Sequence, residues 1–89
     1  MLISISYDLR QPGRNYQPLY ETIKSAQAWC HAMDSLWFIY TSETVHAWSE
    51  KLRRVTDEDD YLFVVDITGR PRAGWLQKAT WEWLEKHDH

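Results

Sequence analysis

Three things are scarce in this chain of 89 residues: cysteine, long apolar runs and an excess of positive charge. The single Cys30 excludes an internal disulfide framework and suits a reducing cytoplasm. The apolar runs are too short to cross a bilayer and the N-terminus lacks a basic leader, so we expect a cytoplasmic protein without a membrane partner. A net charge of −3 argues against a broad electrostatic grip on nucleic acid, although local basic clusters remain.

Tryptophan, in contrast, is abundant for a chain of this length. Two interpretations stay open: the indoles fill a small core, or some of them form an interface or stack on bases. The six are Trp29, Trp37, Trp48, Trp75, Trp81 and Trp83.

The stretch from Leu2 to Leu9 alternates between apolar and polar side chains, which predicts a strand with one face in the core. Ser4, Ser6 and Asp8 lie on its polar face. A Pro-Gly loop follows, so Asp8 is expected at the carboxyl end of this strand, beside a basic loop.

Further along, helical spacing predicts helices at about 15–27, 42–55 and 75–86, and β-prone stretches predict strands at 28–33, 36–41 and 61–68. The acidic run 57–60 is interpreted as a solvated loop. Strand, helix, strand, strand, helix, strand is the order of an α+β, ferredoxin-like domain: an antiparallel sheet with both helices on one face. We therefore expect one domain over 1–89, with a core at 1–69 and a C-terminal helical extension at 70–89.

Such a sheet leaves its second face without helices. Both faces of the third and fourth strands are apolar, and a contiguous apolar patch usually marks an interface. We therefore predict a homodimer about a two-fold axis. The predicted interface residues are Trp37, Leu62, Val64, Trp75 and Trp81.

Several motifs resemble a known group of proteins. These are Tyr7-Asp8-Leu9 before the Pro-Gly loop, the hairpin pattern from Trp29 through His31 and Asp34 to Trp37, and the acidic loop ahead of the last strand. The pattern resembles the small SinR-like bacterial and phage proteins, thought to be distant relatives of the CRISPR-associated ferredoxin-fold nucleases of spacer acquisition.

The resemblance implies a catalytic and metal-binding role for Asp8. In the nuclease family the aspartate ending the first strand lies near the dimer axis, where two copies hold a divalent metal, Mg²⁺ or Mn²⁺. The resemblance carries over to Asp8 alone. From the residues themselves, Asp66 on the last strand could join Asp8 across the sheet as a second ligand. Arg10 and Arg14 could bind phosphate, and Ser6, Tyr7 and His31 are candidate supporting residues.

Plainer roles stay open for the same residues. Asp8 could cap the following loop or pair with Arg14, because carboxylates often accept local hydrogen bonds. His31 could be a half-buried hairpin residue bonded to Asp34 or Ser35.

Two functions follow. One is a homodimeric, metal-dependent endonuclease or binder of RNA or DNA acting through Asp8. The alternative is a non-catalytic interaction module, of phage or mobile-element origin, that binds a host protein through tryptophans of the tail or the edge of the last strand.

Overall fold

A computed structural model describes residues 1–89 and contains four strands and three helices. In chain order they are β1 (Leu2–Asp8), α1 (Gln17–Ile23), β2 (Ala28–Met33), β3 (Leu36–Tyr40), α2 (Val45–Arg54), β4 (Tyr61–Asp66) and α3 (Lys78–His87). This element order agrees with the order predicted from the sequence. None of the helices has the length and apolar character needed to span a membrane.

The four strands form a single sheet in the order β2-β3-β1-β4. Each neighbouring pair is antiparallel, and the register sets Ile5 of β1 between Trp37 of β3 and Val64 of β4. The predicted α+β class with an antiparallel sheet is therefore confirmed. β2 and β4 are its edge strands.

One face of the sheet is covered by α1 and α2. Their buried side chains join those of β1 and β3 in a cluster of nine: Ile3, Ile5, Tyr7, Leu19, Ile23, Trp37, Ile39, Trp48 and Leu52. Because alternate residues of β1 point the same way, this cluster contains its odd-numbered positions. The core of the domain thus lies between this face and the two helices.

The helix boundaries differ from the predicted ones. α1 ends at Ile23, about a turn early, because Ser25 closes a turn on the carbonyl oxygen of Thr22. α2 is capped by Thr44, whose hydroxyl accepts from the Ala47 amide, so it begins at Val45 and not at the predicted position 42. An accepting side chain satisfies one of the free amides at a helix start.

The third helix lies on the opposite face of the sheet. Leu84 of α3 packs with Leu2 of β1 and Phe38 of β3 in a second, smaller cluster. α3 begins at Lys78, so Trp75 precedes it and is 98% exposed. Trp81, predicted at an interface, is half-buried against this cluster.

The predicted orientation of β4 is wrong. Leu62 and Val64, predicted to face away from the helices, pack against the core cluster. The reason is the register, which sets Leu62 opposite Tyr7 and Val64 opposite Ile5. Trp37, also predicted at an interface, is buried in the same core.

Candidate functional site

The half of the α3-side sheet face that α3 leaves uncovered is the candidate site, and we call it the open face. It comprises Ser6, Asp8, Met33, Leu36, Tyr61 and Phe63. Two shallow pockets, of about 240 and 480 Å³, lie on it on either side of β1, and both are lined by Ser6 and Tyr7; we call the two together the groove.

Aromatic rings form one side of this groove. Phe63 stands opposite Ser6 and Tyr61 opposite Asp8 in the β1–β4 register. The two rings are 65% and 63% exposed, although large apolar side chains are usually buried. Edge strand β4 therefore presents two rings beside the polar residues of β1.

Asp8 ends β1 as predicted, and its side chain is 62% exposed. It pairs with Arg10 at 3.2 Å, and the Arg10 guanidinium lies 5.2 Å from the centre of the Tyr61 ring. Exposed ion pairs of this kind contribute little stability, so the pair leaves Asp8 free to exchange partners. Arg14 pairs elsewhere, with Asp57 at 3.4 Å.

The predicted second ligand, Asp66, does not meet Asp8. Asp66 stands opposite Ile3, five residues before Asp8 on β1, which separates the two carboxylates by about 17 Å along the strand. Hydrogen bonds from the Thr68 hydroxyl and amide lower the pKa of Asp66, against a smaller rise from burial. No group of three or more His, Cys, Asp or Glu side chains is arranged to hold a metal ion.

Tyr7 and His31 support the hairpin beside the groove. The Tyr7 hydroxyl donates to the carbonyl oxygen of Asp34 and accepts from the Trp37 indole, both at 3.0 Å. Burial, partly offset by the Trp37 hydrogen bond, raises the pKa of Tyr7. The His31 ring stacks on Trp37 at 3.8 Å, and its Nε2 lies 3.2 Å from the same Asp34 oxygen. Both side chains thus converge on one turn.

One residue beside the site was missed from the sequence. Asp60, expected in a solvated acidic loop, is 1% exposed. Its carboxylate accepts from the Arg10 amide at 2.7 Å, the Asp57 amide at 2.8 Å and the Tyr16 hydroxyl at 2.9 Å. Burial raises the pKa of Asp60, but these hydrogen bonds together outweigh it and hold the pKa below the usual value. Asp60 thereby fixes the loop that follows Asp8.

Comparisons of the chain with protein-family models, with curated proteins and with solved structures found no match. The resemblance to SinR-like proteins accordingly stays a prediction based on the motifs.

Proposed function

We propose that this chain is an association module, a ferredoxin-like domain that pairs with a second copy through the open face. The ferredoxin-like assignment rests on the β-α-β-β-α-β order followed by α3, and on β3 lying between β1 and β2. In a split βαβ unit the two strands joined by the helix are not neighbours, and one further strand lies between them; here the two strands are β1 and β2, and the strand between them is β3. The lone thiol of Cys30 fits a cytoplasmic location for such a module.

The exposed rings of the open face carry the proposal. Tyr61 and Phe63 together expose about 250 Å², taking about 200 Å² for a whole aromatic side chain. A stable interface buries about 800 Å² on each partner. Met33, half exposed, and the mostly buried Leu36 add a smaller apolar area on the same groove, so the apolar side chains of the open face supply about half of that area.

The charges at the end of the groove favour a second copy as the partner. In a two-fold interface every contact occurs twice: if one residue of the first protomer contacts a second residue of its partner, the same pair also meets with the protomers exchanged. Asp8 of one protomer and Arg10 of its partner can then pair twice, in place of the exposed pair within each chain. A face with one acid and one base at its rim is complementary to itself.

Light scattering after size-exclusion chromatography tests the proposal. We expect a dimer for the wild-type chain at tens of micromolar, and a monomer for Phe63→Glu, which places a charge in the groove. Ala79→Glu adds the same charge to an exposed alanine of α3 and should remain dimeric. A wild-type chain that is monomeric at several hundred micromolar would overturn the homodimer and make a different protein the partner.

Metal-dependent phosphodiester hydrolysis is the second candidate, favoured by the exposed Asp8 at the wall of the groove. One carboxylate binds Mg²⁺ poorly, but a two-fold axis would add a second, together with water and substrate phosphate. Cleavage of single-stranded RNA and duplex DNA with Mg²⁺ or Mn²⁺ should then be lost in Asp8→Asn. Glu50→Gln, an exposed substitution on α2, is the matched control. Equal cleavage by Asp8→Asn would exclude this role.

A further inference from the structure

Five large apolar side chains of this domain are exposed, and four of them lie on the same side of the sheet. Tyr61, Phe63 and Met33 belong to the open face. The fourth is Trp75, in the loop that leads into α3. Trp75 lies next to the open face, because it lines a cavity beside α3 together with Met33 and Leu36. Single exposed apolar residues are common on protein surfaces, whereas a contiguous set usually marks an interface.

The loop that carries Trp75 is held in place although the ring itself is 98% exposed. Arg72 donates to the carbonyl oxygen of Ile67 at 2.7 Å and to Asp88 at 3.1 Å. Asp88 also accepts from the Gly69 amide at 2.7 Å. An exposed ring on a fixed loop is preorganised for a partner, because little conformational freedom of the chain is lost when the partner binds.

We propose that Trp75 is an anchor of the self-association described above and is buried there against the second copy of this chain. The inference rests on the proposed homodimer and extends its surface beyond the open face. A stable interface buries about 800 Å² on each partner, and the apolar side chains of the open face supply about half of it. Trp75 adds about 200 Å², which raises the apolar share to about three quarters.

The charges beside this surface favour a second copy over an unrelated protein. Asp8 and Arg10 place one acid and one base at the rim, so the extended surface remains complementary to itself. A two-fold interface also uses every contact twice, so that both copies of Trp75 are buried. Tryptophan is enriched among the few residues that dominate binding energy in protein interfaces.

Sedimentation velocity over a concentration series measures the dimer dissociation constant of the full-length chain. Trp75→Ala should raise this constant about thirtyfold, as expected for an anchoring residue. Urea unfolding of the dilute monomer should not change, because the free chain leaves the ring in water.

Trp29→Ala is the matched control, since Trp29 is the one exposed large apolar residue on the helix-covered side of the sheet. It is 41% exposed, and its ring centre lies 5.6 Å from that of the core residue Trp37. Its loss should change the dissociation constant by less than about threefold.

The indole N–H of Trp75 gives a second readout by NMR. In spectra of the ¹⁵N-labelled chain, the indole signal that is missing from Trp75→Phe identifies this residue. A soluble paramagnetic agent should broaden that signal in a dilute, monomeric sample and leave it sharp in a concentrated, dimeric one. Equal broadening in both samples would overturn the burial of the ring against the second copy.

The outcomes separate this inference from the proposed function. If Trp75→Ala dimerises as tightly as the wild-type chain, or if Trp75→Ala and Trp29→Ala weaken the dimer equally, the anchor is refuted and the homodimer stands. A wild-type chain that is monomeric at several hundred micromolar would refute both.

Discussion

The buried carboxylate of Asp60 offers the sharpest test of how the end of β1 is held. In Asp60→Asn the side chain keeps its shape, but one acceptor oxygen becomes an amide. Oδ1 can still accept from the Arg10 amide and the Tyr16 hydroxyl, which it does in the wild-type chain. The Asp57 amide, which donates to Oδ2 at 2.8 Å, then faces another N–H and loses its partner.

One lost hydrogen bond to a charged acceptor, with a donor left buried, costs about 2 kcal/mol of unfolding free energy. For a domain of this size that lowers Tm by about 10 °C. Urea unfolding at pH 7 measures the loss of free energy and thermal unfolding measures the shift in Tm, both monitored by tryptophan fluorescence. Asp59→Asn is the matched control, since its exposed carboxylate accepts only from the Gln11 side chain and from no backbone amide.

The pH dependence adds a second, independent check. Because the pKa of Asp60 is lowered in the folded chain, its contribution is fully present above the unfolded value and is lost as pH falls through the folded value. The difference between wild type and Asp60→Asn should therefore shrink below about pH 4. A cost under about 0.5 kcal/mol at pH 7, or a cost independent of pH, would refute the reasoning.

Three further substitutions test other parts of the structure. Thr44→Ala removes the cap of α2 and should cost about 1 kcal/mol in urea unfolding, while Ser42→Ala should change little. An equal effect of the two would contradict the observed helix start. Leu84→Ala opens the contact between α3 and the sheet and should cost about 3 kcal/mol, whereas a cost under 1 kcal/mol would mean that α3 packs loosely. Trp37→Phe leaves the Tyr7 hydroxyl without its indole donor and should cost about 2 kcal/mol by thermal unfolding; a neutral result would contradict its burial.

The elements themselves were largely predictable because each carries a local signal. Alternation in β1, the Asp34-Ser35 turn between β2 and β3, and the apolar stripe of α2 each follow from the period of one element. The helix boundaries were predicted less accurately. Thr44 caps the start of α2 and the Ser25 turn follows the end of α1, but neighbouring residues look equally suitable for these roles in the sequence.

The orientation of β4 was not predictable in the same way. Both of its faces are apolar, so its own pattern does not tell whether Leu62 or Phe63 points to the core. Only its pairing with β1 settles this, and pairing is a long-range property of the fold. The burial of Asp60 has the same origin, because its donors come from the loop after β1 as well as from its own turn.

The open face differs from an ordinary solvent-exposed sheet face in one respect. Along the α3 side of β1, Leu2 lies beneath α3, while Ser4, Ser6 and Asp8 follow toward the uncovered end, as expected for a strand that runs out into solvent. The neighbouring strand β4, in contrast, places the aromatic rings of Phe63 and Tyr61 beside Ser6 and Asp8 at this uncovered end. Since Phe63 is 65% exposed, it contributes little to the stability of its own chain. Phe63→Glu should accordingly abolish the dimer while leaving the unfolding free energy of the monomer within about 0.5 kcal/mol of wild type. A large loss of monomer stability would instead make Phe63 a folding residue and remove the main support for association.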